Sequence, residues 1–159
     1  MASDLILTYW DSCVFIDGLR KTEARWPQIK ILENQAKGGE SVIYTSALAI
    51  AEVVKLQEFG ELTEDESRRI AGYFRHKFIR VIPVDRVVAT IASEIVRHHK
   101  LKPPDAIHVA TAIRTRCAVL YTYDGDSGDS AKLLAKNGKI GTPALPIKRP
   151  GEFGQMLLP

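Results

Sequence analysis

With 159 residues, 45% of them hydrophobic and 26% charged, the chain suits one globular domain around one core and excludes a disordered or low-complexity protein. A formal net charge of +3 is compatible with a nucleic-acid partner but too small to require one. Cys13 and Cys117 have no metal-ligand spacing and read as free thiols of a reducing compartment. The chain opens on no basic, then apolar leader, and its longest apolar run, Ala47 to Val54, is interrupted by Glu52. A soluble cytoplasmic protein without a membrane anchor is therefore expected.

The first element, Leu5 to Trp10, is an almost unbroken hydrophobic run rich in β-branched and aromatic residues, the pattern of a strand covered on both faces. It ends on Asp11, which either caps the short helix Cys13 to Leu19 or serves as the first ligand of a site at the carboxyl end of a strand. A helix with Pro27 in its first turn and Trp26, Ile29, Ile31 and Leu32 on its apolar side runs to Gly38-Gly39. Ser41 to Thr45 is the second strand, and Ser46 caps a helix over 47–59 in which Glu52 interrupts an otherwise apolar start.

Thr63 and Glu66 form a capping box that opens a charged helix reaching residue 78. Ile79 to Val84 is a third strand, and Asp85 caps a helix over 86–100. Pro103-Pro104-Asp105 opens the next helix, which runs to Arg116 with Asp105 in its first turn. Ala118 to Asp124 repeats the first design, a hydrophobic strand terminated by an acid. The turn Gly125 to Asp129, a helix Ser130 to Lys136 and a short strand Ala144 to Ile147 follow, and irregular chain is expected beyond Lys148. Strands and helices alternate throughout, which predicts an α/β fold: a mostly parallel sheet with helices on both faces, in one domain over residues 1–148 with a tail over 149–159.

Four carboxylates sit in unusual places. Asp11 and Asp124 end hydrophobic strands, Asp105 opens an apolar helix and Glu52 interrupts one. Buried acids need compensation, which salt bridges to Lys55, Arg114 or Arg116 would supply for any one of them. For all four together, a hard divalent cation bound through oxygen is the better account, and clustered acids holding two such ions can hydrolyse a phosphodiester.

At these residues the chain resembles the PIN-domain family, especially its small single-domain VapC-type toxins. The matching features are Asp11-Ser12 after the first strand, Glu52 after Thr45-Ser46, Pro103-x-Asp105-Ala106 at a helix start, and Thr122-x-Asp124-x-Asp126 after an apolar strand. The resemblance covers nearly the whole chain and implies a three-layer α/β/α sandwich and RNA cleavage dependent on Mg²⁺ or Mn²⁺. The implied metal ligands are Asp11, Glu52, Asp105 and Asp124, with Asp126 ranked below them. The implied partners are RNA, a cognate antitoxin and a second copy of the chain; no covalent nucleophile is needed. Cys13 and Ser127 depart from the family's usual Asn and aromatic residue at those positions. The alternative is a catalytically silent PIN-fold module that binds RNA or protein.

His108 lies three residues after Asp105 on the same helix face and reads as a packed histidine, with support of the site as its other role. Ser12 either caps its helix or bonds Asp11. The basic run Arg97 to Lys102 is either a solvated helix end or a phosphate-binding rim. Asp129 reads as a helix cap.

Overall fold

The computed structural model describes residues 4–54 and 62–153. Its centre is a five-stranded sheet in the order β3-β2-β1-β4-β5, formed by β1 (Ile6–Trp10), β2 (Ser41–Ser46), β3 (Ile79–Ile82), β4 (Val119–Tyr121) and β5 (Ile147–Lys148). Every pairing is parallel, with Thr8 opposite Ile43 of β2 and Val119 of β4. The helices are α1 (Ser12–Arg20), α2 (Trp26–Lys37), α3 (Ala47–Val53), α4 (Glu64–Tyr73), α5 (Arg86–His99) and α6 (Pro103–Arg114). Among the described residues, none of them is long and apolar enough to cross a membrane.

Alternation along β1 divides the core into two. Tyr9 points to one face, where it packs with Val88, Ile95, Val109, Leu120 and Leu133. Its neighbour Trp10 points to the other face, where Phe15, Ile29, Ile43, Val53 and Phe74 gather. Helices α5 and α6 cover the first face and α1 to α4 serve the second, which makes three layers. Both faces of the sheet are buried, so its strands carry continuous hydrophobic runs.

The topology places the site. From β1 the chain winds outward through β2 to β3, then returns to build β4 and β5 on the other side of β1. The order reverses between β1 and β4, and in open α/β sheets that reversal leaves a crevice at the carboxyl ends of the two strands. Asp11 and Asp124 stand at those ends.

Several expected boundaries move. Where a helix over Ser130 to Lys136 was expected, there is only a 3-10 turn, Leu133–Lys136. The Asp124 side chain accepts from Leu133 N at 3.2 Å and its carbonyl from Leu134 N at 3.0 Å, so the segment is tied to the end of β4 instead of winding freely. Asp129 accordingly closes a local turn by accepting from Ala131 N at 2.9 Å, and it caps no α-helix.

The last strand is Ile147–Lys148 and not Ala144 to Ile147, with Asn137 Oδ1 taking the Ile147 N–H. Helix α4 stops at Tyr73, short of residue 78, and α6 starts at Pro103, keeping Asp105 in its first turn. Residues 55–59 of the expected third helix, including Lys55, lie outside the described residues. After β5, Arg149 joins Asp126 and Glu152.

Candidate metal centre

Asp11 is the most heavily held of the acids. Its Oδ1 accepts from Ser12 N at 2.6 Å and Ser12 Oγ at 3.2 Å, while Oδ2 accepts from Thr122 Oγ1 at 2.8 Å and Cys13 Sγ at 3.4 Å. Capping and site-building are thus the same act, because the carboxylate that caps α1 is fixed in one orientation by its partners. Thr122 performs two tasks: its hydroxyl donates to Asp11 and accepts from Asp124 N at 2.9 Å, coupling the ends of β1 and β4.

Glu52 comes from α3, whose start is fixed by Ser46 accepting from Leu48 N at 3.1 Å. Its Oε1 lies 2.5 Å from His108 Nε2, which is also 3.3 Å from Asp11 Oδ1. Ligand atoms of Asp11, Glu52 and His108 all fall within 4.8 Å of one another. Asp105 enters from the first turn of α6, and Asp124 from the end of β4 with Lys132 Nζ 3.7 Å from its Oδ1. All four acids line one open cleft of about 470 Å³, together with the cations Arg25, Lys102 and Lys132.

Electrostatics mark this cleft as a place where negative charge is crowded. The Asp105 carboxyl is pushed up to about 6 by burial and then by the Asp124 and Asp11 carboxylates, against the pull of His108 and Lys132. The Cys13 thiol is pushed well above its usual range by burial and then by Asp11, so it stays protonated and is no nucleophile. Burial alone would lower the His108 value, but Asp11 and the Glu52 hydrogen bond raise it overall. Oxygen donors from four separate elements, one of them raised by its like-charged neighbours, fit a hard divalent cation.

The other expected positions divide. Asp126 does not line the cleft; it bonds Arg25 Nη2 at 2.8 Å and also Arg149, and Arg25 continues to Asp17 at 2.6 Å. Among the described residues, no ion pair joins Arg114 or Arg116 to any of the four acids. Within the basic run only Lys102 lines the cleft, while Arg97 is spent on Glu94 at 2.5 Å.

Sequence reasoning missed Tyr9, Arg25 and Lys132 as parts of the site. It named Thr122 as part of the motif before Asp124 without assigning it a role. Arg25 lies over the Tyr123 ring at 4.0 Å, a contact between distant segments that no local pattern reveals.

A model of the PIN domain matches residues 8–133. No curated protein sequence matches the chain. Among solved structures it is similar to VapC20 of Mycobacterium tuberculosis, described as a sarcin–ricin-loop-cleaving toxin. That match has 20% identity and a TM-score of 0.59, covering 79% of this chain and 96% of that one. VapBC2 of Rickettsia felis, solved bound to a DNA fragment from its promoter, aligns at 12% identity and a TM-score of 0.61, covering 91% and 98%. A toxin–antitoxin complex from Klebsiella pneumoniae aligns at 19% identity and a TM-score of 0.55, covering 74% and 87%. At such identities these likenesses speak for the fold.

Proposed function

Since the chain belongs to the PIN-domain family, we propose that it is a ribonuclease that hydrolyses RNA phosphodiester bonds with Mg²⁺ or Mn²⁺ held by Asp11, Glu52, Asp105 and Asp124. The observation that carries this reading is the convergence of those four acids in one cleft rimmed by Arg25, Lys102 and Lys132. Such an ion supplies Lewis-acid stabilisation of the phosphoryl oxygens and a more acidic water. The chain's own part is to hold the acids in place through Ser12, Thr122 and His108 and to meet phosphate oxygens with the rim cations. No side chain forms a bond to phosphorus, in keeping with a protonated Cys13.

The VapC-like fold supports a biological setting as the toxin of a toxin–antitoxin pair, active in the cytoplasm, where free Cys13 and Cys117 suit a reducing medium. An antitoxin and a second copy of the chain are the proposed protein partners. The rival reading, a silent PIN-fold binding module, is disfavoured because all four acids are present and brought together.

The test is cleavage of single-stranded RNA by the purified protein with Mg²⁺ or Mn²⁺, set against an Asp11→Asn control. Cleavage that stops in EDTA and is absent from the control supports the reading. Cleavage that persists in EDTA overturns the metal mechanism, and RNA binding without cleavage favours the rival.

A further inference from the structure

Tyr9 and His108 are 0% and 1% exposed, yet each brings a polar tip into the core. The tips meet, with Tyr9 Oη 2.6 Å from His108 Nδ1. On the far side of the ring, Nε2 faces Glu52 and Asp11. The near end of the chain is a backbone amide: Ser46 N donates to Tyr9 Oη at 3.0 Å. Four elements are joined in this way, since Tyr9 belongs to β1, Ser46 ends β2 and caps α3, His108 belongs to α6 and Glu52 to α3.

Ser46 N–H can only donate, so the Tyr9 oxygen accepts there, and the one hydrogen of this buried phenol finds its acceptor in Nδ1, the ring nitrogen 2.6 Å away. With Nδ1 accepting, the neutral ring carries its single proton on Nε2, aimed at Glu52 Oε1. A nitrogen that carries a proton has no lone pair left for a cation. The spacing that would otherwise make His108 a third ligand with Asp11 and Glu52 is therefore spent on a hydrogen bond.

We infer that His108, locked as an Nε2–H donor by Tyr9, is a positioning residue of the metal centre: it holds one Glu52 oxygen and leaves the other for the ion, and it is not a ligand. This rests on the metal-dependent reading proposed above. A consequence is that the centre presents only oxygen, the donor type that suits Mg²⁺ and Mn²⁺, and withholds the imidazole that Zn²⁺ or Ni²⁺ would use. The same link braces α3, whose described helix is only seven residues long, against the sheet and α6.

The experiment combines two spectroscopic readings of the full chain with calorimetry. Pulsed EPR of the Mn²⁺-loaded protein should show no coupling to an imidazole nitrogen. In the Mg²⁺-loaded protein, with the pH raised until the His108 ring shifts no longer change, long-range ¹⁵N–¹H correlation should show His108 protonated on Nε2 alone. Titration of Mn²⁺ should give His108→Leu a roughly 10–100-fold weaker Kd, the usual effect of losing an outer-shell partner. Tyr9→Phe should be weakened in the same direction. His108→Gln, whose amide nitrogen takes the place of Nε2, should recover most of the affinity. A role in packing alone would give no such rescue.

Nitrogen coupling to Mn²⁺, or a proton found on Nδ1, would overturn the inference while leaving the metal reading intact. Unchanged Mn²⁺ affinity in a folded His108→Leu would do the same. A parent protein that binds no Mn²⁺ would overturn the functional reading and this inference with it. Should His108→Leu fail to fold, both spectroscopic readings on the parent still decide.

Discussion

Replacing Asp105 by Asn keeps the shape of the side chain and deletes one charge from the crowded cleft. The carboxyl stands at 3.8 ordinarily and at about 6 in the folded, metal-free chain, raised by burial and by Asp124 and Asp11. Between those values the folded state binds more protons than the unfolded one, so this group's contribution to stability falls as pH rises. Its penalty is fully present above about pH 6 and gone below the unfolded value. A shift of roughly two units corresponds to about 3 kcal/mol as a ceiling. Asp105 is only half-buried, and screening by solvent brings the figure to about 1–1.5 kcal/mol.

Asp105→Asn is therefore expected to be more stable than the parent in EDTA at neutral pH, by a Tm difference of about 3–4 °C for a chain of this size. The advantage should vanish as pH falls toward 4. Added Mg²⁺ closes the gap at tenfold over the parent's Kd, where the parent gains roughly 1.4 kcal/mol and the variant much less, and it reverses the order near a hundredfold, where the parent gains about 2.7 kcal/mol. Thermal melts of both proteins from acid to neutral pH, with EDTA and with Mg²⁺, measure all of this. A loss of about 3–5 kcal/mol for the variant in EDTA would refute the reasoning, because it would make Asp105 half of a buried ion pair.

Lys102→Ala and Lys132→Ala should each weaken RNA binding and lower the slope of log K against log salt by about one, whereas Arg97→Ala should leave the slope alone. A filter-binding series over salt concentration tests the difference. Thr122→Val removes a hydrogen bond to a charged partner and should cost roughly 1.5–3 kcal/mol in urea melts, with weaker Mn²⁺ binding; a smaller change would mean that the hydroxyl holds neither Asp11 nor Asp124. Asp126→Asn should leave Mn²⁺ affinity by calorimetry unchanged and cost at most about 1 kcal/mol, since its oxygens face Arg25 and Arg149 at the surface. A large loss of Mn²⁺ affinity would restore Asp126 to the ligand set.

The acids were legible because each one breaks a pattern. Asp11 and Asp124 terminate hydrophobic runs, Glu52 interrupts one and Asp105 follows two prolines, and alternating strands and helices then bring such positions to the carboxyl edge of a parallel sheet. Tyr9 conformed to its pattern and was therefore invisible: an aromatic residue in a buried strand reads as core, and only the three-dimensional register places its hydroxyl against Ser46 and His108. His108 was ambiguous for the same reason, because helical spacing shows which face it shares but not what faces it. The expected helix at Ser130 to Lys136 did not form because the Leu133 and Leu134 N–H groups, which would make its first i to i−4 bonds, go to Asp124, tertiary bonds that override local propensity. The pairings of Arg25 with Asp126 and of Lys132 with Asp124 depend on loop closure, which local periodicity does not encode.

The central claim, that the four acids form one cation site, is tested most directly by crystals grown with Mn²⁺ and measured at a wavelength where manganese scatters anomalously. An anomalous peak is expected in the cleft with carboxylate oxygens of Asp11 and its neighbours at about 2.1 Å, the distance usual for a small hard cation, and no such peak in Asp11→Asn. An empty cleft in Mn²⁺-soaked crystals of the parent, or a peak that persists undiminished in the variant, would contradict it.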